Sequence, residues 1–162
     1  MCFVSEIKRL ISLQQEGPYW DFKKEWYQKE KKADLLIDII CMANNLENRD
    51  AYIIIGVDEE NDYSVLDMRE DENRWNTQTL TDFLRTKKFA GESRPVVTVE
   101  HVSIYGVTID VIVVHNSIDT PFFLRERYEK VNANNIYVRL QDSNTPCDKS
   151  ADFHHMADQY GK

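Results

Sequence analysis

Tyr19-Trp-Asp-Phe-Lys-Lys-Glu-Trp26 and Ala51-Tyr-Ile-Ile-Ile-Gly-Val-Asp58 are the stretches whose reading decides the fold. In the first, alternation puts Trp20, Phe22 and Trp26 on one side and Tyr19, Asp21, Lys23 and Glu25 on the other, the pattern of a half-buried strand. One face is expected to pack and the other to stay free for chemistry. The second is a continuous apolar run rich in β-branched residues, as in a central strand covered on both sides. It stops at Gly56-Val57-Asp58 and runs into an acidic loop, so Asp58 is expected at a strand end. Between them, Ala33 to Asn45 carries Leu35, Leu36, Ile39, Ile40 and Ala43 at helical spacing, with Ile37, Cys41 and Met42 widening the apolar surface. A strand, a helix packed on more than one side and a second strand follow.

Working outward, Phe3 to Gln15 reads as an amphipathic helix stopped by Gly17-Pro18, with Glu16 at the junction. Tyr63 to Leu66 reads as a short strand, and Thr77 to Lys88 as a helix with Leu80, Phe83 and Leu84 on one side. Val96 to Ile104 and Val107 to Val114 are two β-rich runs joined by Tyr105-Gly106, a tight hairpin signal. Pro121 to Lys130 and Asn135 to Leu140 read as a further pair, which would give four consecutive strands and a largely antiparallel extension of the sheet. Asp148 to Tyr160 reads as a closing helix. The expectation is one α/β (α+β) domain over residues 1–162, a mixed, largely antiparallel sheet flanked by helices, with its core at about 16–146.

Twenty basic against twenty-eight acidic side chains give a net charge of -8, which disfavours broad attraction to phosphate backbones and requires any nucleic-acid site to be local. Basic residues do group, at Lys23-Lys24, Lys29 to Lys32, Lys87-Lys88 and Arg125 to Lys130, including Arg125 and Arg127. Three cysteines without a pairing pattern, and no signal peptide, point to the reducing cytoplasm. No apolar run nears the roughly 20 residues needed to span a bilayer, and no phosphate loop of the Gly-rich, Lys-Ser/Thr type is present. Strand edges in the C-terminal half leave room for a two-fold homodimer. The chain reads equally as a small whole protein or the front of a longer one.

Glu16, Asp21 and Asp58 offer hard carboxylate oxygens that, with the strands as neighbours, can hold Mg2+ or Mn2+ as in a nuclease. Lys23, on the strand face of Asp21, would then stabilise charge developing on a phosphate. The competing reading is that Asp21 and Lys23 form ion pairs and Asp58 caps a turn. Ile136-Tyr-Val-Arg139 before a polar turn delivers an arginine that either grips a phosphate or pairs with an acid, with Ser143, Asn144 and Thr145 as further donors.

Taken in order, Glu16-x4-Asp21-Phe22-Lys23, Ala43-Asn44-Asn45, Ile54-Ile55-Gly56-Val57-Asp58 and Ile136-Tyr137-Val138-Arg139 with Ser143-Asn144 resemble the Schlafen-type Alba-like domain across residues 16–146. The resemblance implies a mixed α/β domain that binds nucleic acid, RNA or DNA, with Lys23, Lys24, Asn44, Arg125, Arg127, Arg139 and Asn144 as candidate contacts. It also implies a divalent-metal-dependent endoribonuclease acting on structured RNA such as transfer RNA, with Glu16, Asp21 and Asp58 as metal ligands and Lys23 as their catalytic partner. The alternative is a non-catalytic binding or regulatory module of a larger assembly. Two departures from the family pattern stand out. Its second glutamate is Asp21 here, one methylene shorter, and its glycine pair after Ala-Asn is replaced by Leu46 to Asp50.

Overall fold

The computed structural model describes residues 2–151, folded as an α+β domain around one mixed sheet. In chain order come α1 (Phe3–Ser12), β1 (Trp20–Lys23), α2 (Lys32–Ala43), β2 (Ala51–Ile55), β3 (Val57–Asp58), β4 (Ser64–Val65) and α3 (Thr77–Arg85). The hairpin β5 (Val97–Ile104) and β6 (Val107–Val114) follows, then the short pair β7 (Arg139–Leu140) and β8 (Ser143–Asn144). The main sheet has the order β1-β2-β6-β5, parallel between β1 and β2 and antiparallel elsewhere. A parallel pair needs a long crossover, and α2 supplies it.

Alternation sorts the sheet into two cores. Trp20, Phe22, Tyr52, Ile54, Val111 and Val113 pack with Ile7, Leu10 and Ile11 of α1. On the opposite face Ile53, Ile55, Ile112 and Val114 pack with α2 and with Leu80 and Leu84 of α3. Covering on both faces explains why β2 is apolar at every position rather than every second one. Tyr105 and Gly106 both have positive φ, 51° and 83°, as a two-residue hairpin turn requires.

Several expectations need correction. The first strand ends at Lys23, and the chain then bends so that Trp26 enters the α2-side core instead of joining Trp20 and Phe22. Its indole donates to the buried Asp110 carboxylate at 2.8 Å. The face expected to stay free for chemistry is roofed by α2. The Ala51–Asp58 run is broken at Gly56, whose N–H donates to Lys23 O (2.7 Å) and whose carbonyl accepts from Leu66 N (2.8 Å). With φ at +114° and Leu66 O only 2.9 Å from where a Cβ would stand, that position requires glycine. β3 then turns away to pair with β4.

Among the described residues only the hairpin joins the sheet from the C-terminal half. Pro121 to Lys130 is irregular because its backbone finds other partners: Ala90 N donates to Phe123 O, Arg125 N to Lys88 O, and Asn134 N to Leu124 O. Asn135 to Leu140 contributes only β7, paired with β8. β5 remains an edge, partly occupied by Thr77, whose hydroxyl accepts from Val99 N at 2.8 Å. The closing helix expected at 148–160 lies outside the described residues from 152 onward. No helix among the described residues is long and apolar enough to cross a membrane.

Candidate functional site

β1 is the other edge of the sheet, and its α2-facing residues, Asp21 and Lys23, meet three further elements there. From α2 comes Asp38, a single acid in an otherwise apolar stretch, 7% exposed. Lys23 Nζ stands 3.3 Å from Asp38 and 3.6 Å from Asp21. The Tyr27 hydroxyl donates to Asp38 Oδ2 at 2.5 Å, and Asn144 Nδ2 donates to its Oδ1 at 2.9 Å. Burial raises the Asp38 pKa, although Lys23 and Tyr27 act against it. Burial alone would lower Lys23, but Asp38 and Asp21 outweigh it and hold the ammonium above its usual range.

Arg139 arrives from β7 with 3% exposure. Its Nε donates to Gly17 O (3.0 Å), Nη2 to Trp20 O (3.1 Å) and Nη1 to Asn144 Oδ1 (3.0 Å), and Nη2 lies 3.8 Å from Asp21 Oδ1. Its guanidinium thereby pins β7 to the entry of β1, with two backbone carbonyls and an amide oxygen as its close partners.

Glu16 sits in the loop before β1, where Oε2 accepts the Phe22 N–H at 3.0 Å. The loop is tight: Trp20 Nε1 donates to Gln15 O at 2.8 Å, and its ring lies where a Gly17 Cβ would be. Burial, then the adjacent Asp21 and, more weakly, Glu59, push the Glu16 carboxyl up to about 9, opposed by the Phe22 amide. Two carboxyls meeting at a low-dielectric edge favour retention of one proton. A depression of about 430 Å³ opens beside them, lined by Glu16, Trp20, Glu47 and Arg139 among others.

Asp58 behaves differently. Its Oδ1 accepts from Glu60 N at 3.1 Å, capping the turn Glu59–Asn61, and its Oδ2 lies 3.7 Å from the exposed Lys24. Glu16 and Asp21 are brought together; Asp58 faces its own turn, with Glu59 the acid nearer to Glu16. Among the described residues no three His, Cys, Asp or Glu side chains converge as a ready-made metal cage. Glu16 borders that depression while Asp21 is 5% exposed behind it, so the pair fits a magnesium-like ion, which commonly uses one or two protein oxygens, through the Glu16 side.

The remaining candidates divide. Asn44 caps α2 from full burial, donating to Phe122 O and Tyr137 O and accepting from Phe122 N, and so holds the 121–138 segment against α2. Arg125 and Arg127 are exposed on that segment, where Arg127 Nε donates to Glu129 O, and neither bonds to the Asp21–Lys23 group. Asp38, Tyr27 and Glu59 escaped the reading of the sequence. Asp38 carried a usable signal, because an acid inside an all-round apolar helix is almost never buried unpaired.

No curated protein matches the chain. Among solved structures it resembles the N-terminal domain of an ATP-dependent DNA helicase RecG-related protein from Nitrosomonas europaea, at 16% identity and TM-score 0.57, covering 96% of this chain and 98% of that one. It also resembles the DIP2311 protein from Corynebacterium diphtheriae, at 17% identity and TM-score 0.54, covering 98% of this chain and 29% of that longer one. At such identities the likeness speaks for the fold. The sequence model of the family described as Schlafen, AlbA_2 matches residues 16–148, from the Glu16 loop through β8, and the chain belongs to that family.

Proposed function

We propose that this domain binds nucleic acid at the β1 edge, and that on structured RNA such as transfer RNA it acts as a divalent-metal-dependent endoribonuclease in the cytoplasm. The observation that carries the reading is Lys23, a cation held by two buried acids, one-third exposed and next to the Glu16–Asp21 pair. Family membership supports a nucleic-acid role, and the helicase-related Nitrosomonas protein shares the fold. Free thiols at Cys2, Cys41 and Cys147 accord with a reducing compartment.

In the reaction, water adds at phosphorus, one ester P–O bond breaks, and the departing oxygen takes up a proton. Lys23 offsets charge growing on the non-bridging oxygens. Magnesium or manganese would be held by Glu16 and Asp21 and, when bound, would neutralise phosphate charge and acidify water. Glu16 must first release the proton that its surroundings retain. Asp58 would join them only by leaving Lys24 and the Glu60 amide.

Transfer RNA and single-stranded RNA incubated with the protein and manganese should be cut, cutting should stop with chelator, and Glu16→Gln or Asp21→Asn should abolish it. Intact RNA throughout would reject the enzyme. The second reading, a non-catalytic binding module, is favoured by the commitment of Asp58 to its own turn. Chelator-insensitive binding weakened by Lys23→Ala would establish it.

A further inference from the structure

On the α2 side of Tyr27 a groove runs between residues 26–32 and 72–75. Its inner part, about 160 Å³, is lined by Trp26, Tyr27, Leu35 and Trp75, with Lys29 and Lys32 against the single acid Glu72. Its outer part, about 360 Å³, is polar, lined by Gln28, Lys29, Glu30, Glu72 and Asn73. The Lys32 ammonium stands 6.0 Å from the Trp75 ring centroid. From Trp75 the aromatic surface continues edge-to-face to Phe83 (5.4 Å) and on to Tyr128 (5.9 Å). Lys87 lies 3.8 Å above Tyr128 and 4.5 Å from Phe83. Trp75, Phe83 and Tyr128 are all partly exposed.

Two features mark this as a surface awaiting an anion. Among the described residues none of Lys29, Lys32 and Lys87 has a carboxylate within ion-pair distance, in a chain with eight more acids than bases. Burial first, and the nearby positive charge of Lys32 second, lower the Lys87 pKa, and Glu129 offsets them only in part. Tyr27 separates the groove from the proposed site, its ring 5.7 Å from Lys23 Nζ and its hydroxyl bonded to Asp38.

We infer that the groove lined by Tyr27 and Trp75 with Lys29 and Lys32, extended over Phe83 and Tyr128 by Lys87, binds a single-stranded segment of nucleic acid, with Tyr27 standing between that strand and Lys23. Rings take the bases by stacking, and ammonium groups take the phosphates. Bases must be unpaired to stack on these rings, so a duplex is the poorer ligand. This inference rests on the nucleic-acid reading above and specifies where and in what form the strand lies.

Fluorescence anisotropy with a labelled single-stranded RNA and a labelled blunt RNA hairpin tests it. The single strand should bind more tightly, and the double variant Lys29→Glu/Lys32→Glu should weaken it roughly tenfold or more at unchanged melting temperature. Trp20 lies in the other core and Trp26, which also lines the pocket, is 2% exposed, so quenching of indole emission by the strand should come mainly from the more exposed Trp75. Trp75→Phe should lose most of the quenching and keep most of the binding; Trp75→Ala, if folded, should lose both. Failure of the wild-type protein to bind either RNA would remove the nucleic-acid reading itself. Wild-type binding that the lysine variant retains, quenching undiminished by Trp75→Phe, or displacement of the strand by polyglutamate at equal charge concentration would each overturn the groove alone.

Discussion

Glu16 has the most distinctive electrostatics of any residue at the site, and its consequence is measurable as stability. In the unfolded chain its carboxyl ionises near 4.5, whereas in the fold burial, Asp21 and Glu59 push it to about 9. Between those values the native state keeps a proton that the unfolded state releases, so this group's contribution drains as pH rises from about 4.5 toward 9. Glu16→Gln should therefore stabilise the protein at pH 8 by about 2 kcal/mol, discounted for partial exposure, or about 6 °C in Tm. Near pH 4 it should be neutral. Thermal melts of both proteins across pH check this, and equal Tm gains at pH 4 and pH 8 would contradict it. Arg139 makes the opposite prediction. Removing its side chain in Arg139→Ala strips Gly17, Trp20 and Asn144 of a donor and leaves Asp21 with one cation fewer, at a cost of about 3 kcal/mol. A lower denaturation midpoint should accompany any loss of RNA binding. Alternation made Asp21 and Lys23 legible as a pair on one face, but nothing local could report that α2 would roof that face with an acid of its own. Burial of Arg139 was invisible for the same reason: its acceptors are carbonyls more than a hundred residues away.

Among the elements, legibility followed the range of the deciding interactions. β2, α2 and the β5–β6 hairpin declare themselves because apolar run, helical period and a Tyr-Gly turn act within a few residues. The 121–140 region does not, since its shape comes from Asn44, whose amide bonds Phe122 and Tyr137 from the end of α2. Asn44→Ala should leave the sheet intact but release the segment, raising hydrogen exchange at Phe122 and Asn134 amides by roughly tenfold for each 1.4 kcal/mol of local stability lost. Unchanged exchange there would place the anchor elsewhere. Gly56 gives the complementary case. It ends β2 and diverts the chain to β3, and Gly56→Ala would set a Cβ about 2.9 Å from Leu66 O at a φ that side chains avoid. The expected loss is about 2 kcal/mol by urea unfolding, with β4 the first element to exchange.

At the scale of the whole molecule the question is how a chain of net charge -8 can hold a polyanion. The acids are not spread evenly. Glu59, Glu60, Asp62, Asp67 and Glu70 crowd the loops after β3, whereas Lys23, Lys29, Lys32 and Lys87 accompany rings on the α2 side, with Glu30, Glu72 and Glu129 as the acids near them. A protein built this way gains little from long-range steering and must rely on a few close contacts. Counterion release then sets a numerical expectation: if those four lysines are the phosphate contacts, the logarithm of the association constant for single-stranded RNA should fall with the logarithm of salt with a slope of about -3. Lys29→Glu/Lys32→Glu should reduce that slope toward about -1, and Arg125→Ala/Arg127→Ala should leave it unchanged if those exposed arginines stand off the path. A slope near -6, or one lowered by the arginine pair, would mean that the strand instead crosses the 121–131 segment.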